Sequence, residues 1–399
     1  MENFVYSNPV TMLFGEGQLD QVARQILPYG RHILWVYGQR HIKESGVYER
    51  VARALREAGI TFVDLGGVQP NPRVSLVRRG IEICRKERID LVLAVGGGSC
   101  SDTAKAIGVG AKVDYDIWEA YEDYHNLMHG VQGDFPHVPV ETVPVGVVMT
   151  KAGTGSEFDY TTVLSNRDTR EKLMIINKVL YPKFAICDPT LTFTLPRQQV
   201  AYGTADIMTH YMEQYFTPSK NTAILDRNKE AGIKTVIEAG RRAVEDPRDY
   251  VAQSYLLYCA AWACSDHNMT GAVPEWSSHM IEHEISAATD LNHGLGMAII
   301  YLAWMEYVLD AIPERFAQFG ERVWGLSRDG ASEREIGLRS IERTRELWRS
   351  LGIPTTLSAA GVDSSILPTA ARQAVRFGPI GSLKQLTEAD VTRILDSVA

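Results

Sequence analysis

IDLVLAVGGGSCSDTAKAI, residues 89 to 107, joins an apolar run to three glycines, and a helical pattern follows without a pause. Leu91 to Val95 contains no polar residue, which suits a strand buried on both faces of a parallel sheet. The glycines let the backbone come close to an anion, and a helix opening at about Ser99 offers unpaired N–H groups to phosphate. The spacing is neither GxGxxG nor the GK[ST] of a P-loop, so the strand-to-helix setting carries the reading. Gly97, Gly98 and Ser99 are therefore candidate cofactor residues. Asp102 follows on the first turns of the helix and joins them, with an internal ion pair to Lys105 as its plainer alternative.

Outward from this stretch, the first half of the chain repeats the same unit. HILWVY (32–37) reads as a buried strand, VYERVARALREAG (47–59) as an amphipathic helix and ITFVDLGG (60–67) as a second strand. VSLVRRGIEICRKER then gives the helix that leads into residue 89. Such alternation indicates a parallel sheet covered by helices, a Rossmann-like α/β domain. A second small-residue loop, KAGTGSE (151–157), is placed to close over the same ligand. From about residue 190 the period changes to 3.6 with hardly a strand. LPRQQVAYGTADIMTHYMEQYF, RNKEAGIKTVIEAGRRAV and DYVAQSYLLYCAAWACSDH all read as helices. CDPTLTFTLP (187–196) marks the change. The expected division is residues 1–188, an α/β dinucleotide-binding domain, and 189–399, an all-helical domain.

Bulk properties narrow the class. At 399 residues two domains are the default, and 45% hydrophobic with 23% charged residues is an ordinary globular composition. A formal charge of −8 argues against nucleic acid or an anionic membrane as the main partner. MENFVYSNPV lacks the basic and apolar regions of a secretory signal, and no uninterrupted apolar run is long enough to span a bilayer. The five cysteines are odd in number and scattered, as expected of reduced thiols in the cytoplasm.

The helical half holds a second kind of chemistry. GTADIMTHYMEQY (203–215) sets Asp206 and His210 four apart on one helical face, close enough to share a cation. HMIEHEISAATDLNHG (279–294) adds His279, His283 and His293 beside Glu282, Glu284 and Asp290. His279 and His293 cannot meet along one continuous helix, which would hold them about 21 Å apart. A turn at Asp290 and Asn292 solves this. A helix over 279–288 travels about 14 Å, and five extended residues return about 17 Å. His283 lies nearer the turn, so spacing leaves the choice between His279 and His283 open.

With these motifs in view, the sequence resembles the iron-containing (group III) alcohol dehydrogenases over nearly its whole length. DPTLTFTLPRQQVAYGTADIMTHYMEQY and WSSHMIEHEISAATDLNHGLG are similar to the two signatures of that family, and PNP (70–72), GGGSCSDTAKAI and AGTGSE follow in its order. The first strand and loop, WVYGQRHIKESGVYERV, look most like the butanol dehydrogenase and broad-range aldehyde reductase branch. The resemblance implies a dehydroquinate synthase-like architecture, with an α/β nucleotide-binding domain ahead of a helical metal-binding one. It implies that Asp206, His210, His279 and His293 hold one divalent ion, Fe²⁺ or Zn²⁺. His283 is then a pocket residue that takes part in proton transfer. Gly97, Gly98 and Ser99 would hold the pyrophosphate, Thr154 and Ser156 the nicotinamide end, and Lys172 the ribose or phosphate.

The resemblance further implies reversible hydride transfer between a primary alcohol or aldehyde and a nicotinamide, in a homodimer. After the first strand stand Gly38, Gln39 and Arg40, with no carboxylate for a ribose 2′-hydroxyl. Arg40 and Lys43 suit a 2′-phosphate, whereas Asp64 at the end of the second strand suits NAD; the balance favours NADP over NAD. The competing readings are a dehydroquinate synthase-like or glycerol dehydrogenase-like metalloenzyme, and a nucleotide-binding homologue without activity.

Overall fold

The computed structural model describes residues 1–399. Along the first half run β1 (Thr11–Phe14), α1 (Val22–Ile26), β2 (His32–Tyr37), α2 (His41–Glu44), α3 (Val47–Glu57) and β3 (Thr61–Leu65). They continue through α4 (Val74–Glu87), β4 (Leu91–Gly96), α5 (Gly98–Gly110), α6 (Ile117–Met128) and β5 (Val145–Met149). A hairpin, β6 (Thr161–Asn166) and β7 (Glu171–Ile176), precedes β8 (Phe184–Cys187). The six-stranded sheet has the order β1-β8-β5-β4-β2-β3, and every neighbouring pair is parallel. β6 and β7 form a separate antiparallel pair.

The apolar strands behave as their composition demands. Leu91 to Val95 and Val145 to Met149 are buried throughout. Trp35 of β2 lies fully buried, stacked on Tyr48 at 4.5 Å between ring centroids. From β2 the chain crosses outward to β3, and from β4 it crosses the other way to β5. The order therefore reverses between β2 and β4, and a ligand crevice forms outside the carboxyl ends of strands at such a reversal. Tyr37 pairs in register with Val95, so the loops at Gly38 and at Gly97 leave the sheet side by side.

The second half is helical. It comprises α7 (Arg197–Tyr215), α8 (Ala223–Glu245), α9 (Tyr250–Ala263), α10 (Asp266–Met269), α11 (Ser277–Thr289) and α12 (His293–Val308). α13 (Pro313–Arg322), α14 (Glu333–Ser350), α15 (Leu367–Ala374) and α16 (Glu388–Asp396) complete it. α7 is buried on all sides from Val200 to Tyr215, so each polar group it carries needs a partner. The helical stretch His293–Ala311, which continues α12, is long and apolar enough by composition to cross a membrane, yet 78% of that window is buried inside the fold. Cys84, Cys100, Cys187, Cys259 and Cys264 are all free thiols, and all but Cys264 are buried.

Two compact units emerge, and neither is one continuous segment. The α/β unit takes Ser7–Leu195 together with Arg248–Ala261. The helical unit takes Met1–Tyr6, Pro196–Pro247 and Trp262–Ala399. A single cut between 188 and 189 does not describe this arrangement. Most of α9 belongs to the first unit, where the Glu16 N–H donates to the Tyr250 hydroxyl at 3.2 Å and Phe14 meets Tyr258 edge to face. The N-terminal residues belong to the second, with the Glu2 N–H donating to the Gly271 carbonyl at 2.9 Å. Helical period reveals that a segment is a helix and is silent about which core it joins.

Candidate metal centre and nucleotide loops

In the α/β unit, Gly97 caps α5 in extended conformation and Gly98 is its first residue. A side chain on Gly98 would collide with that of Thr154, so only glycine lets the two loops lie against each other. Gly97 faces Lys151 in the same way, with room for ordinary contact. The loop at 151–157 thus packs on the start of α5. Gly38, Gln39 and Arg40 follow β2, with Gln39 and Arg40 exposed. Lys43 lies over the Tyr48 ring at 4.9 Å, and the Tyr48 hydroxyl donates to Asp64 at 2.8 Å. One oxygen of Asp64, the acid that would read an NAD ribose, is therefore already engaged.

Asp102 and Ser156 face one another. The Ser156 hydroxyl donates to Asp102 at 2.6 Å, and the Val163 N–H reaches the other carboxylate oxygen at 3.1 Å. Their first task is to tie α5 to the loop and to β6. Burial pushes the Asp102 carboxyl up to about 6. Lys105 does not pair with it; fully buried, it holds Asp159 at 2.7 Å and donates to the Asp159 and Thr161 carbonyls. Lys172 is buried on β7, opposite Ser165. Glu157, next in sequence to Ser156, is completely buried, and neither of its oxygens meets a hydrogen-bond donor from another residue. Burial raises its carboxyl to about 7.

The helical unit gathers the histidines. α11 ends at Asp290 in left-handed conformation, φ 62°, and α12 starts at His293 with the Asn292 side chain accepting from the Leu295 N–H. The reversal falls at the residues whose turn chemistry called for it. A side chain on Gly294 would overlap the Tyr202 carbonyl oxygen, so this glycine lets the start of α12 lie against α7. His293 thereby reaches Asp206, with Nε2 3.6 Å from Oδ1. His210 approaches the same oxygen at 3.9 Å. The rings of His210 and His279 stack at 5.0 Å, and those of His279 and His293 lie 5.4 Å apart.

His210, His279 and His293 place ligand atoms within 4.8 Å of one another. His283 is not in that group; it clusters with Glu282 and His293, its ring 5.6 Å from the His293 ring. Asp206 Oδ1 is buried without a hydrogen-bond partner. A carboxylate oxygen in that condition, beside three converging imidazoles, fits a divalent cation of borderline softness.

Three further residues surround the centre, and sequence reasoning assigned no role to Glu213 or Glu282. Glu213, fully buried on α7, lies 2.9 Å from His279 Nδ1 and accepts from the Trp276 N–H at 3.0 Å and from the Ser278 hydroxyl. Burial lifts its carboxyl to about 7 against the pull of those donors. Glu282, equally buried, lies 2.5 Å from His293 Nδ1 and accepts from the Ser286 hydroxyl. Trp276 caps α11 with φ 60°, a left-handed conformation that an aromatic residue adopts only under constraint. Its ring meets His279 edge to face at 4.9 Å. The available signal was position: Glu213 stands seven residues after Asp206 and Glu282 three after His279, on the same helical faces. The remaining acids of the histidine stretch have other duties. Glu284 pairs with Arg376 at 3.6 Å, and Asp290 ends the helix.

Comparison with known proteins agrees with this architecture. A family model for the iron-containing alcohol dehydrogenases matches residues 9–189, and one for the C-terminal part of the Fe-containing alcohol dehydrogenase family matches residues 200–399. The chain belongs to the iron-containing alcohol dehydrogenase family. It is 40% identical over 397 residues to NADH-dependent butanol dehydrogenase A of Clostridium acetobutylicum, with 99% of each chain covered. It is 32% identical over 378 residues to the NADPH-dependent aldehyde reductase YqhD of Escherichia coli, covering 95% of this chain and 94% of the other. A solved structure of NADH-dependent butanol dehydrogenase A from Thermotoga maritima superposes with a TM-score of 0.92 at 34% identity, covering 100% and 99%. Within the family the chain falls in the butanol dehydrogenase branch.

Proposed function

We propose that this NAD(P)-linked alcohol dehydrogenase and aldehyde reductase works on small apolar primary alcohols and their aldehydes, over an iron centre and with NADP(H). The observation that carries the reading is the convergence of the Asp206 carboxylate with the imidazoles of His210, His279 and His293. A divalent ion held there supplies a Lewis acid for a substrate oxygen, and a nicotinamide supplies or accepts the hydride. One carboxylate and three neutral imidazoles offset a single charge of a divalent ion, which favours an anionic oxygen at the site. The family's iron suits this donor set.

The chain's own residues do the rest. Gly97 and Gly98 leave the backbone open to a diphosphate at the start of α5, with the Ser99 hydroxyl as a further donor. Thr154, held against Gly98, and Ser156, Asp102 and Lys172 form the shell around the rest of the nucleotide. Arg40, exposed beside the reversal of strand order, is assigned the 2′-phosphate. The relatives are divided on this point, since the butanol dehydrogenases named above use NADH and the aldehyde reductase NADPH. Trp276 provides an apolar wall at the ligand histidines, consistent with an alkyl substrate. His283, one turn beyond His279 and buried, is assigned the proton.

Two properties of the whole molecule belong to the same proposal. β1 is a terminal strand of its sheet, and Phe14, Tyr250, Tyr255 and Tyr258 are exposed around it or on α9. This supports a homodimer paired through that edge. Five free thiols suit the cytoplasm.

The test is absorbance at 340 nm with butanol or butyraldehyde, in iron-loaded protein, using NAD(H) and NADP(H). Turnover with NADPH exceeding that with NADH supports the reading. Asp206→Asn and His279→Ala should lose metal and activity together, and full activity in either refutes the quartet.

A further inference from the structure

We infer that Glu213 and Glu282 are the positioning residues of the metal centre, each setting the tautomer of one ligand histidine and pinning its helix. The inference rests on the assignment of His279 and His293 as ligands. It begins from an otherwise costly arrangement: two carboxylates with no exposed surface, in the interior of a helical unit. Each points at an Nδ1 nitrogen, Glu213 at that of His279 and Glu282 at that of His293.

The chemistry of that contact is directional. A carboxylate only accepts, so the imidazole donates from Nδ1 and keeps its Nε2 lone pair for a cation. For His293, Nε2 is the nitrogen that faces Asp206. Left alone, a neutral imidazole divides its proton between two nitrogens, and rotation about χ2 adds further orientations. The carboxylate removes both freedoms before any ion arrives. It also makes the ring a stronger donor to the ion.

Each acid does this across a helix junction. Glu213 on α7 takes the His279 and Trp276 N–H groups and the Ser278 hydroxyl, all from the beginning of α11. Those bonds hold Trp276 in its left-handed conformation and aim the first turn of α11. Glu282 on α11 takes the ring of the first residue of α12, while Ser286, one turn on, donates to its other oxygen. A side chain on Gly296 would run into this same carboxylate, so glycine clears its space. Three helices carrying four ligands are thus joined by two acids.

Chelator-stripped wild type, Glu213→Gln and Glu282→Gln should be titrated with Co²⁺ against a chromophoric chelator, and the visible spectrum of each Co²⁺ form recorded. The amide keeps the size and removes the charge, and its NH₂ can donate to Nδ1 and impose the wrong tautomer. Each variant should bind Co²⁺ about 10- to 100-fold more weakly, with altered ligand-field bands. Glu213→Asp and Glu282→Asp should recover part of the loss. The Zn²⁺-loaded wild type should also show two exchange-protected imidazole N–H protons far downfield, assigned to Nδ1 of His279 and of His293 in protein labelled with ¹⁵N-histidine. That measurement stands even if a Gln variant fails to fold. Gln variants that match wild-type affinity and spectrum, or a loaded wild type without those two protons, would overturn the inference. A wild type that binds no divalent ion would sink the centre itself, and the inference with it.

Discussion

Glu157 is a fully buried acid with no hydrogen-bond donor from another residue, so changing its charge should change stability in a calculable way. Desolvation lifts its carboxyl from 4.5 to about 7, with Asp159 adding to the rise and Lys105 opposing it. The folded-state value lies above the unfolded one, so between about 4.5 and about 7 the native state binds more protons than the unfolded chain. Stability must therefore fall as pH rises through that window. Each tenfold change in ionisation is worth about 1.4 kcal/mol, which gives a loss of about 3 kcal/mol by pH 8. Glu157→Gln cannot ionise and should lose none of it. For a unit of roughly 200 residues, about 3 kcal/mol corresponds to roughly 6–12 °C in Tm. The assay is thermal unfolding of wild type and Glu157→Gln, in the same metal state, from pH 5 to 8.5. The gap between the two Tm values should widen by roughly 5–10 °C in favour of the amide, the part of the loss that falls above pH 5, whatever the offset there. Parallel curves would refute the reasoning and place a donor or water at the carboxylate.

Three other outcomes are expected. Gly294→Ala forces a methyl into the Tyr202 carbonyl, so α12 must shift away from α7; Tm should fall, by about 1–3 kcal/mol of stability, and His293 should move off the centre, weakening metal retention measured by chelator challenge. Arg40→Ala should lower kcat/KM for NADPH by about 10- to 100-fold, the worth of a charge-assisted hydrogen bond, and leave NADH unchanged in steady-state kinetics. Lys105→Met strands Asp159 without its buried partner at 2.7 Å, which should cost about 3–5 kcal/mol in denaturant unfolding; adding Asp159→Asn should recover much of it.

Much of the fold was legible because burial and period are local properties. The runs at 32–37 and 91–96 contain no polar break, and they form adjacent interior strands of the parallel sheet. The residues of the reversal at 290–292 were visible because Asp and Asn have few other reasons to interrupt such a helix. Less legible was the route of the chain between units. α9 reads as an apolar helix in the helical half, yet most of it belongs with the α/β unit. No feature of its period names the surface that receives it.

At the centre, sequence alone determined that Asp206 and His210 share a helical face and that the chain turns back before His293, since both follow from rise per residue and turn chemistry. Only the tertiary structure decided which of His279 and His283 joins His210 and His293, because that depends on how α11 is set against α7, where Glu213 holds its first turn, and on the close approach of α12 that Gly294 allows. It alone also separated Glu213 and Glu282 from the many acids that merely face water. In a sequence an acidic residue on a helix is a charge of unknown surroundings; packing decides whether it is solvated or must find an imidazole to hold.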